Sequence, residues 1–448
     1  MVSRTISLIL AVIALTSRVL SYPNNGSINL PLYSAGRWVL DSNGDPVTYV
    51  GINWPGAADV MIPEGLQYQS IESIVDKVVD LGLNVVRLTF AIEMVDDIYA
   101  NGKDVRIKDA FVEALGSQNG TLGFEQVLQN NPQFSENTTR LQLLIMEVYD
   151  AIADELATRN IYLHLDNHDS KGQWCCSHND GNAWFNDTYF DVDNWMRGLS
   201  YMAQHGKTNW PTFSSIGLRN ELRQPTDGGY PYSYTWITWT HNMTSAAQAV
   251  HEANKDILIF FSGLNFDTDL NQIVYNGVVD YVGTTFNVTM YDYYHKMVFE
   301  LHTYAGVSSC SSFWSSLYSA GFGTLNPFDT SIRNRLPLIL TEWGHDQGDS
   351  SGAYSGLYHT CLHTFASEWK FGWMLWTISG SYYIRSGVQD SEDTWGILNK
   401  NWTDYRGADS SAALKQMAAD TFNSAGDYGV HFTNAQVNQF KNYTSPTN

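Results

Sequence analysis

The sequence has little positive charge for its length. Among its 448 residues, 25 are Lys or Arg and 46 are Asp or Glu, which gives a formal net charge of −21. Such a chain repels polyanions and anionic lipid surfaces during encounter, so its composition argues against nucleic acid or a membrane as a partner. A neutral substrate is the expected partner.

Long apolar runs are also missing, except at the N-terminus. There, Arg4 precedes the apolar stretch Ile6–Leu15, and Val19 and Ser21 stand at the spacing of a cleavage site. This pattern predicts a secretory signal peptide at residues 1–21, too short for a stable membrane anchor. We therefore expect the mature protein to be extracellular.

A secreted chain would carry N-linked glycans at some of its Asn-X-Ser/Thr sequons. The sequons lie at Asn25, Asn119, Asn137, Asn186, Asn242, Asn287, Asn401 and Asn442.

Cysteine is scarce. Cys175, Cys176, Cys310 and Cys361 are too few for a disulfide scaffold and are not spaced like a zinc site. Three connectivities are open from the sequence, and the adjacent pair can bond only through a strained ring. Because a secreted protein meets an oxidising environment, we expect Cys310 to pair with Cys361, with the other two either bonded to each other or free.

No metal or cofactor is expected. His168, Asp169, His178 and Asp180 carry side chains that bind metals, but they lack a regular spacing such as that of HExxH.

From residue 50 onward, short runs rich in β-branched and aromatic residues alternate with segments of helical periodicity. The strand candidates are Val50–Trp54, Val85–Phe90, Ile161–Asn167, Ser215–Arg219, Ile257–Ser262, Met297–His302, Leu338–Glu342 and Trp373–Thr377. Helical periodicity occurs at Ile71–Leu81, Leu141–Leu156, Trp195–Ala203, Trp236–Ala253, Tyr354–Trp369 and Ala412–Phe422. Eight such units predict an α/β fold, a closed (β/α)8 TIM barrel, with residues 22–448 as one catalytic domain.

Two segments depart from this alternation. Residues 37–50, RWVLDSNGDPVTYV, contain an Asn-Gly-Asp-Pro turn between alternating runs and predict an N-terminal β-hairpin that caps the barrel bottom. Residues 91–137 form a long insertion after the second strand, in which AFVEAL and FEQVLQ predict short helices. Since βα loops lie on the catalytic face, we expect this insertion to form part of a cleft wall.

Two carboxylates are placed at the mouth of the predicted barrel. Asn220 and Glu221 follow the fourth strand, and Glu342 ends the seventh. In a parallel barrel, residues at the carboxyl ends of strands face the active site. A pair of opposed carboxylates is what glycoside hydrolysis requires, so we predict Glu221 and Glu342 as the catalytic residues.

Other polar and aromatic residues follow neighbouring strands. Arg87 is placed to keep a carboxylate ionised, and Tyr304 to orient the nucleophile. His168, His302 and Asn220 can hydrogen-bond sugar hydroxyls, and Trp376 can stack on a sugar ring. These six residues are the predicted substrate-binding set.

Several motifs occur in order along the chain: GINW (51–54), LGLNVVRLTF (81–90), LDNHDSKGQWCC (165–176), GLRNELRQP (217–225), FELHTY (299–304) and LTEWG (340–344). Together they resemble those of glycoside hydrolase family 5, a clan-A family, and of its plant and fungal cellulase-like branch in particular. The resemblance covers residues 36–410 and implies a retaining (β/α)8 enzyme with Glu221 as acid/base and Glu342 as nucleophile.

The leading hypothesis is therefore a secreted endo-acting β-1,4-glucanase or mannanase that works by double displacement on a neutral β-linked polysaccharide or oligosaccharide. An exo-acting β-glycosidase or transglycosylase is the alternative, with the 91–137 insertion closing one end of the cleft. A non-catalytic sugar-binding barrel is disfavoured because both carboxylates are present. A retaining mechanism predicts a carboxyl separation of about 5 Å, and repulsion from Glu342 should raise the pKa of Glu221.

Overall fold

The computed structural model describes residues 28–136, 143–226, 232–304 and 306–425. The predicted signal peptide and the sequons at Asn25, Asn137 and Asn442 lie outside these residues. Among the helices that are described, none is long and apolar enough to cross a bilayer.

A small antiparallel hairpin precedes the barrel. Its strands are β1 (Tyr33–Ala35) and β2 (Trp38–Leu40). The sequence placed the turn later, at residues 43–46. There the carboxylate of Asp41 accepts two backbone N–H groups and holds a loop that makes only one β-bridge. The hairpin is thus present, but one segment earlier than predicted.

Eight parallel strands follow and close into a barrel, which confirms the predicted (β/α)8 fold. They are β3 (Val50–Trp54), β4 (Val85–Ala91), β5 (Tyr162–Asp169), β6 (Phe213–Gly217), β7 (Leu258–Ser262), β8 (Met297–Thr303), β9 (Leu338–Trp343) and β10 (Trp373–Leu375). All their residues are buried, as expected for a parallel sheet covered by helices on its outer face.

The N-terminal hairpin closes the amino end of this barrel. Leu32 and Val39 pack in one apolar cluster with residues at the start of the barrel strands, among them Val85, Tyr162 and Leu258. Burying these side chains removes apolar surface from water at the end opposite the strand termini that carry the predicted site. The predicted capping of the barrel bottom is confirmed.

Two strand ends differ from the prediction in ways that matter for the site. β6 begins at Phe213 and ends at Gly217, two residues earlier than expected. Its serines are buried because the Tyr49 hydroxyl donates to Ser214 Oγ at 2.5 Å and His164 Nδ1 lies 2.8 Å from Ser215 Oγ. β10 ends at Leu375, so the following residues already belong to the barrel mouth.

Helices cover the outside of the barrel. They are α1 (Ile71–Asp80), α2 (Glu93–Asn101), α3 (Ile107–Leu115), α4 (Ser117–Asn130), α5 (Gln133–Glu136), α6 (Ile145–Thr158), α7 (Val192–Asn209), α8 (Trp236–Ala253), α9 (Cys310–Ala320), α10 (Leu357–Trp369) and α11 (Ala408–Ala425). Helix α1 shows why they form. Ser70 caps its first turn by accepting the Ser73 N–H, and its apolar face, which includes Ile74 and Val78, is buried.

The long insertion after β4 contains the helices α2 to α5, so the short helices predicted in it are confirmed. A further hairpin, β11 (Ser381–Arg385) and β12 (Val388–Glu392), follows β10. The insertion packs against this hairpin, because the rings of Phe111 and Tyr383 meet edge to face with centroids 4.8 Å apart.

The structure contains two disulfides, the expected Cys310–Cys361 bond and one between Cys175 and Cys176, for which the sequence left both the bonded and the free state open. Cys310 at the start of α9 is bonded to Cys361 in α10, 51 residues away in sequence. Cys175 and Cys176 are bonded to each other. The first bond links two adjacent helices, and the second lies in the loop after β5.

Candidate active site

Arg87 occupies the centre of the site. It is fully buried on β4. Its Nη1 donates to Glu342 Oε1 at 2.5 Å and to Asn53 Oδ1 at 2.8 Å, and its Nη2 donates to Asn220 Oδ1 at 2.9 Å. Nη2 is also 2.8 Å from Asp166 Oδ1. Burial alone would lower the pKa of Arg87, but the Asp166 and Glu342 carboxylates raise it above its ordinary value, so the charge is retained.

Glu342 is held at both oxygens near the end of β9. Oε1 faces Arg87, and Oε2 accepts a hydrogen bond of 2.8 Å from the Tyr304 hydroxyl. Tyr304 is 39% exposed, yet its hydroxyl lies against the buried Glu342, and this loss of hydration raises the pKa of Tyr304 well above its ordinary value. The tyrosine therefore keeps its proton and donates it. The carboxylate is fixed in orientation and has a counter-charge beside it.

Glu221 lies in the loop after β6, beyond the last residue of the strand. Its φ of 46° is in the left-handed region, which is uncommon for a residue with a side chain. The strained backbone is held by a hydrogen bond of 2.9 Å from the Glu221 N–H to Asp267 Oδ2. On the side chain, Oε1 lies 3.0 Å from His302 Nδ1.

The pKa of Glu221 is raised, as the sequence predicts, but for a different reason. The carboxyl group is only 14% exposed, and desolvation by burial is the main cause of the increase. Arg223, His168 and Arg87 act in the opposite direction and lower the pKa. Burial, rather than the predicted repulsion from Glu342, is thus the main cause of the increase, and repulsion from Asp166 adds to it.

The two glutamates face each other across a pocket of about 270 Å³ at the barrel mouth. A carboxylate oxygen of Glu221 and one of Glu342 lie within 4.8 Å of each other. The other predicted residues that line the pocket are His168, Asn220, Tyr304 and Trp376. Arg87 and His302 are buried beneath it, in contact with the glutamates. The structure thus brings together all eight predicted residues.

His168 and Trp376 form one side of this pocket. Their rings stack with centroids 5.3 Å apart and an interplanar angle of 9°. His168 Nδ1 lies 2.8 Å from Asp166 Oδ2. Burial lowers the pKa of His168, but the hydrogen bond to Asp166 acts in the opposite direction, and the pKa of His168 is raised. Burial likewise opposes the ionisation of Asp166, but Arg87 lowers the pKa of Asp166 to about 2. Since Nδ1 is occupied, Nε2 is the nitrogen available to a ligand.

Comparison of the sequence with known protein families agrees with this geometry. Residues 40–381 match the family model described as "Cellulase (glycosyl hydrolase family 5)". The chain belongs to glycoside hydrolase family 5.

Relatives of this family 5 enzyme include a plant and a bacterial protein. A "Glycosyl hydrolase 5 family protein" of Chamaecyparis obtusa is 32% identical over 405 residues, which cover 87% of this chain and 66% of that protein. This chain thus spans slightly less than two thirds of that relative's length. An "Endoglucanase" of Paenibacillus polymyxa is 21% identical over 382 residues, 83% of each chain.

Among solved structures, a cellotetraose complex of an endocellulase from Pyrococcus horikoshii is similar in fold. Its TM-score is 0.59 at 17% identity, and the alignment covers 88% of this chain and 100% of that one.

Several residues in the pocket of this family 5 enzyme were not predicted. Trp174, Arg385, Trp395 and the bonded Cys175–Cys176 pair also line it. The guanidinium of Arg385 lies 3.7 Å from the ring centroid of Trp174, so the loop after β5 contacts the β11–β12 hairpin there. The sequence contains a signal for Trp174 and the cysteine pair, because WCC lies in the loop that follows the strand carrying His168.

The described part of the long insertion does not line this pocket, but it lines a neighbouring cleft of about 460 Å³ together with Lys171 and Gly172. Its predicted place in the wall of the substrate cleft stays a prediction. The insertion also contacts the loop that follows β5. Glu93 in α2 accepts hydrogen bonds from Lys171 Nζ at 2.8 Å and from the Gly172 N–H at 2.7 Å. The insertion thus positions the loop that carries Trp174.

Two groups of the described residues have the spacing of a metal site. One consists of Cys175, Cys176 and Glu221, and its cysteines are already bonded to each other. In the other, nitrogen and oxygen atoms of Glu221, His302 and Glu342 all lie within 4.8 Å of one another. Glu342 is already neutralised by Arg87, whose positive charge opposes a second cation at the same oxygens. The arrangement fits proton transfer and nucleophilic attack better than metal binding.

Proposed function

We propose that this family 5 enzyme is a retaining β-glycosidase in which Glu342 is the nucleophile and Glu221 the general acid and base. The observation that carries the proposal is the separation of the two carboxylates, whose oxygens lie within 4.8 Å of each other. Retaining enzymes have carboxyl groups about 5 Å apart, whereas inverting enzymes need roughly 6.5–9.5 Å to admit a water molecule.

The first step follows from the state of each glutamate. Glu342 is paired with Arg87 and is positioned to attack the anomeric carbon, forming a covalent ester as the bond to the leaving oxygen breaks. Glu221, whose pKa is raised by burial, supplies the proton that the leaving oxygen takes up.

The second step reverses these roles. Glu221, now ionised, removes a proton from water, and the resulting hydroxide attacks the anomeric carbon. The ester bond to Glu342 breaks, the sugar leaves with its original configuration, and Glu221 is again protonated.

The neighbouring residues suit a sugar in the pocket. Trp376 offers a flat apolar surface beside His168 on which a pyranose ring can stack. His168 Nε2 and the Asn220 amide are placed to bond hydroxyl groups. Tyr304 holds the nucleophile, because its hydroxyl donates to the oxygen of Glu342 that Arg87 does not hold.

We propose a neutral β-1,4-linked glucan or mannan as the substrate, cleaved internally. The family, the endoglucanase of Paenibacillus polymyxa and the cellotetraose bound by the Pyrococcus horikoshii endocellulase support this choice. The exo-acting alternative rested on the insertion closing one end of the cleft. The described part of the insertion does not line the pocket that holds the two glutamates, which favours internal cleavage.

We further propose that the protein is secreted and N-glycosylated, on the basis of the predicted signal peptide at residues 1–21. Among the described sequons, Asn119, Asn287 and Asn401 are exposed and Asn186 is half-buried. Asn242 is buried in α8, and its Nδ2 donates to the Thr238 carbonyl at 2.9 Å, so we exclude it as an acceptor in the folded protein.

The experiment that tests the function combines product size with stereochemistry. The secreted protein is incubated with soluble β-1,4-glucan, mannan, β-1,3-glucan and xyloglucan, with Glu342→Ala as the inactive control. We expect medium-sized oligosaccharides early in the reaction on one β-1,4-linked polymer. Proton NMR of the first products should show the β-anomer. An initial α-anomer would contradict retention, and monosaccharide or disaccharide alone from the start would contradict internal cleavage.

A further inference from the structure

A second glutamate lies beneath the catalytic pair, where the proposed mechanism does not use it. Glu300 is on β8, two residues before His302, and is fully buried. Residues two apart on a strand share a face, so both point into the barrel. Among the described residues, Glu300 Oε1 has no hydrogen-bond partner.

A continuous chain of hydrogen bonds joins Glu300 to the proposed acid. Glu300 Oε2 lies 2.8 Å from Thr341 Oγ1, which lies 3.1 Å from His302 Nε2. On the other side of the imidazole, His302 Nδ1 lies 3.0 Å from Glu221 Oε1. Each contact has the length of a normal hydrogen bond.

We propose that Glu300 controls, through Thr341, which nitrogen of His302 carries its proton, and thereby what His302 presents to Glu221. Glu300 is then a positioning residue that acts through two others. The inference rests on the proposed role of Glu221 as acid and base.

The hydrogen-bonding capacities of the groups allow two arrangements. When Glu300 is neutral, it donates to Thr341, Thr341 donates to His302 Nε2, and His302 Nδ1–H donates to Glu221 Oε1, with the proton of Glu221 on its other oxygen. When Glu300 is ionised, every bond reverses, and bare Nδ1 accepts from protonated Glu221. With Glu221 protonated in both, the second arrangement holds one proton fewer, so a rise in pH exchanges the first arrangement for the second.

The ionisation states of these groups fit such an exchange. Burial lowers the pKa of His302 to about 4, so above that pH the ring carries a single proton. Burial also raises the pKa of Glu300 to about 8. The charged and titratable groups that surround this chain are Arg87, His164, Asp166, His168, Arg223, Asp267 and Glu342.

These surroundings limit how many carboxylates can be charged. The single positive charge of Arg87 faces two carboxylates, since its nitrogens lie 2.8 Å from Asp166 and 2.5 Å from Glu342. Asp267 is buried beside Glu300, and burial followed by repulsion from Glu300 raises the pKa of Asp267 well above its ordinary value. Glu300 is therefore held neutral at moderately acid pH, and its ionisation is available at higher pH.

The tautomer of His302 can be observed directly by nitrogen-15 NMR of the histidine-labelled full-length protein, with His302→Gln used to assign its signals. In the wild type we expect Nδ1–H at pH 6 and a change to Nε2–H as the pH passes about 8. In Glu300→Gln, which cannot ionise, the tautomer should be independent of pH. An unchanged pH response in Glu300→Gln would overturn the proposal.

The catalytic consequence is read from the alkaline limb of kcat/KM, with a β-glycoside whose leaving group needs protonation. Thr341→Val breaks the chain and should move this limb to lower pH by about one pH unit, the effect of one hydrogen bond to a charged group. Thr341→Ser retains the hydroxyl and should restore it. In the wild-type background, Glu300→Gln should shift the alkaline limb. In the Thr341→Val background, where the chain is already broken, adding Glu300→Gln should cause no further shift.

Two results separate the possible failures. An equal shift from Glu300→Gln in both backgrounds would mean that Glu300 acts by its charge alone, and the proposal would be wrong. If the tautomer follows Glu300 while the kcat/KM limb does not move, the hydrogen-bond chain stands and the assignment of Glu221 as the acid fails.

Discussion

The ion pairs of Arg87 allow a stability prediction with a worked magnitude. In Arg87→Met the side chain keeps a similar length but loses its charge and its donors. Asp166 then loses a partner 2.8 Å away but keeps His168. Glu342 loses a partner 2.5 Å away but keeps Tyr304. Breaking a buried pair on one side costs about 3–5 kcal/mol, so the remaining partners place the expected loss near 3 kcal/mol.

The loss should depend on pH with a definite sign. In the wild type, the folded-state pKa of Asp166 is lowered from 3.8 to about 2, mainly by Arg87 against the effect of burial. Asp166 thus contributes about 2 kcal/mol above pH 4, which is lost as the pH falls through 2. Without Arg87, burial raises the pKa of Asp166, and protonation relieves the unpaired charge. The difference between wild type and Arg87→Met should therefore shrink between pH 7 and pH 3.

The assay is urea unfolding followed by both tryptophan fluorescence and circular dichroism, so that coincident transitions justify a two-state treatment. The matched control is Arg159→Met. Arg159 pairs with Asp76 at 2.6 Å and Glu155 at 2.9 Å, but its side chain is 29% exposed. Exposed pairs contribute less than about 1 kcal/mol. If Arg87→Met costs no more than Arg159→Met, or costs more at pH 3 than at pH 7, the reasoning is refuted.

Three further outcomes are expected. Replacing both Cys310 and Cys361 by Ser opens a loop of 51 residues and should lower the unfolding free energy by about 4 kcal/mol, measured by urea titration; a loss under 1 kcal/mol would contradict this. Because burial raises the folded-state pKa of Glu300 from 4.5 to about 8, its contribution to stability is lost as the pH rises through that window. Glu300→Gln should therefore unfold with a weaker pH dependence there than the wild type, and an equal dependence would speak against it. Trp376→Ala should raise KM about tenfold by removing the stacking surface; an unchanged KM would exclude stacking there.

Much of the fold follows from local patterns that the sequence displays openly. Val50–Trp54 and Trp236–Ala253 coincide with β3 and α8, because an apolar run and a helical period are set by neighbouring residues. The prediction began β6 at Ser215 and missed Phe213 and Ser214, because two adjacent serines, Ser214 and Ser215, interrupt the apolar run. They can be buried only because Tyr49 and His164, distant in sequence, supply hydrogen-bond partners.

The candidate site likewise contains residues that the sequence predicts and contacts that it does not. Strand ends identify Glu221 and Glu342, since the carboxyl ends of parallel strands meet at one face of the barrel. That the insertion would lie outside the pocket of the two glutamates could not be predicted, because loop length says nothing about the direction in which a loop folds. The alternation of Glu300 and His302 is visible in FELHTY, but the link through Thr341 depends on the register between β8 and β9, which only the folded barrel reveals.

The central claim is the assignment of nucleophile and acid/base, and it is tested most directly by azide rescue of two variants with one activated aryl β-glycoside. Glu221→Ala retains the nucleophile, so azide should attack the glycosyl-enzyme and give the β-glycosyl azide. Glu342→Ala lacks it, so azide should attack the substrate directly and give the α-glycosyl azide. The account predicts this pair of anomeric configurations by NMR, and the opposite pair would contradict it.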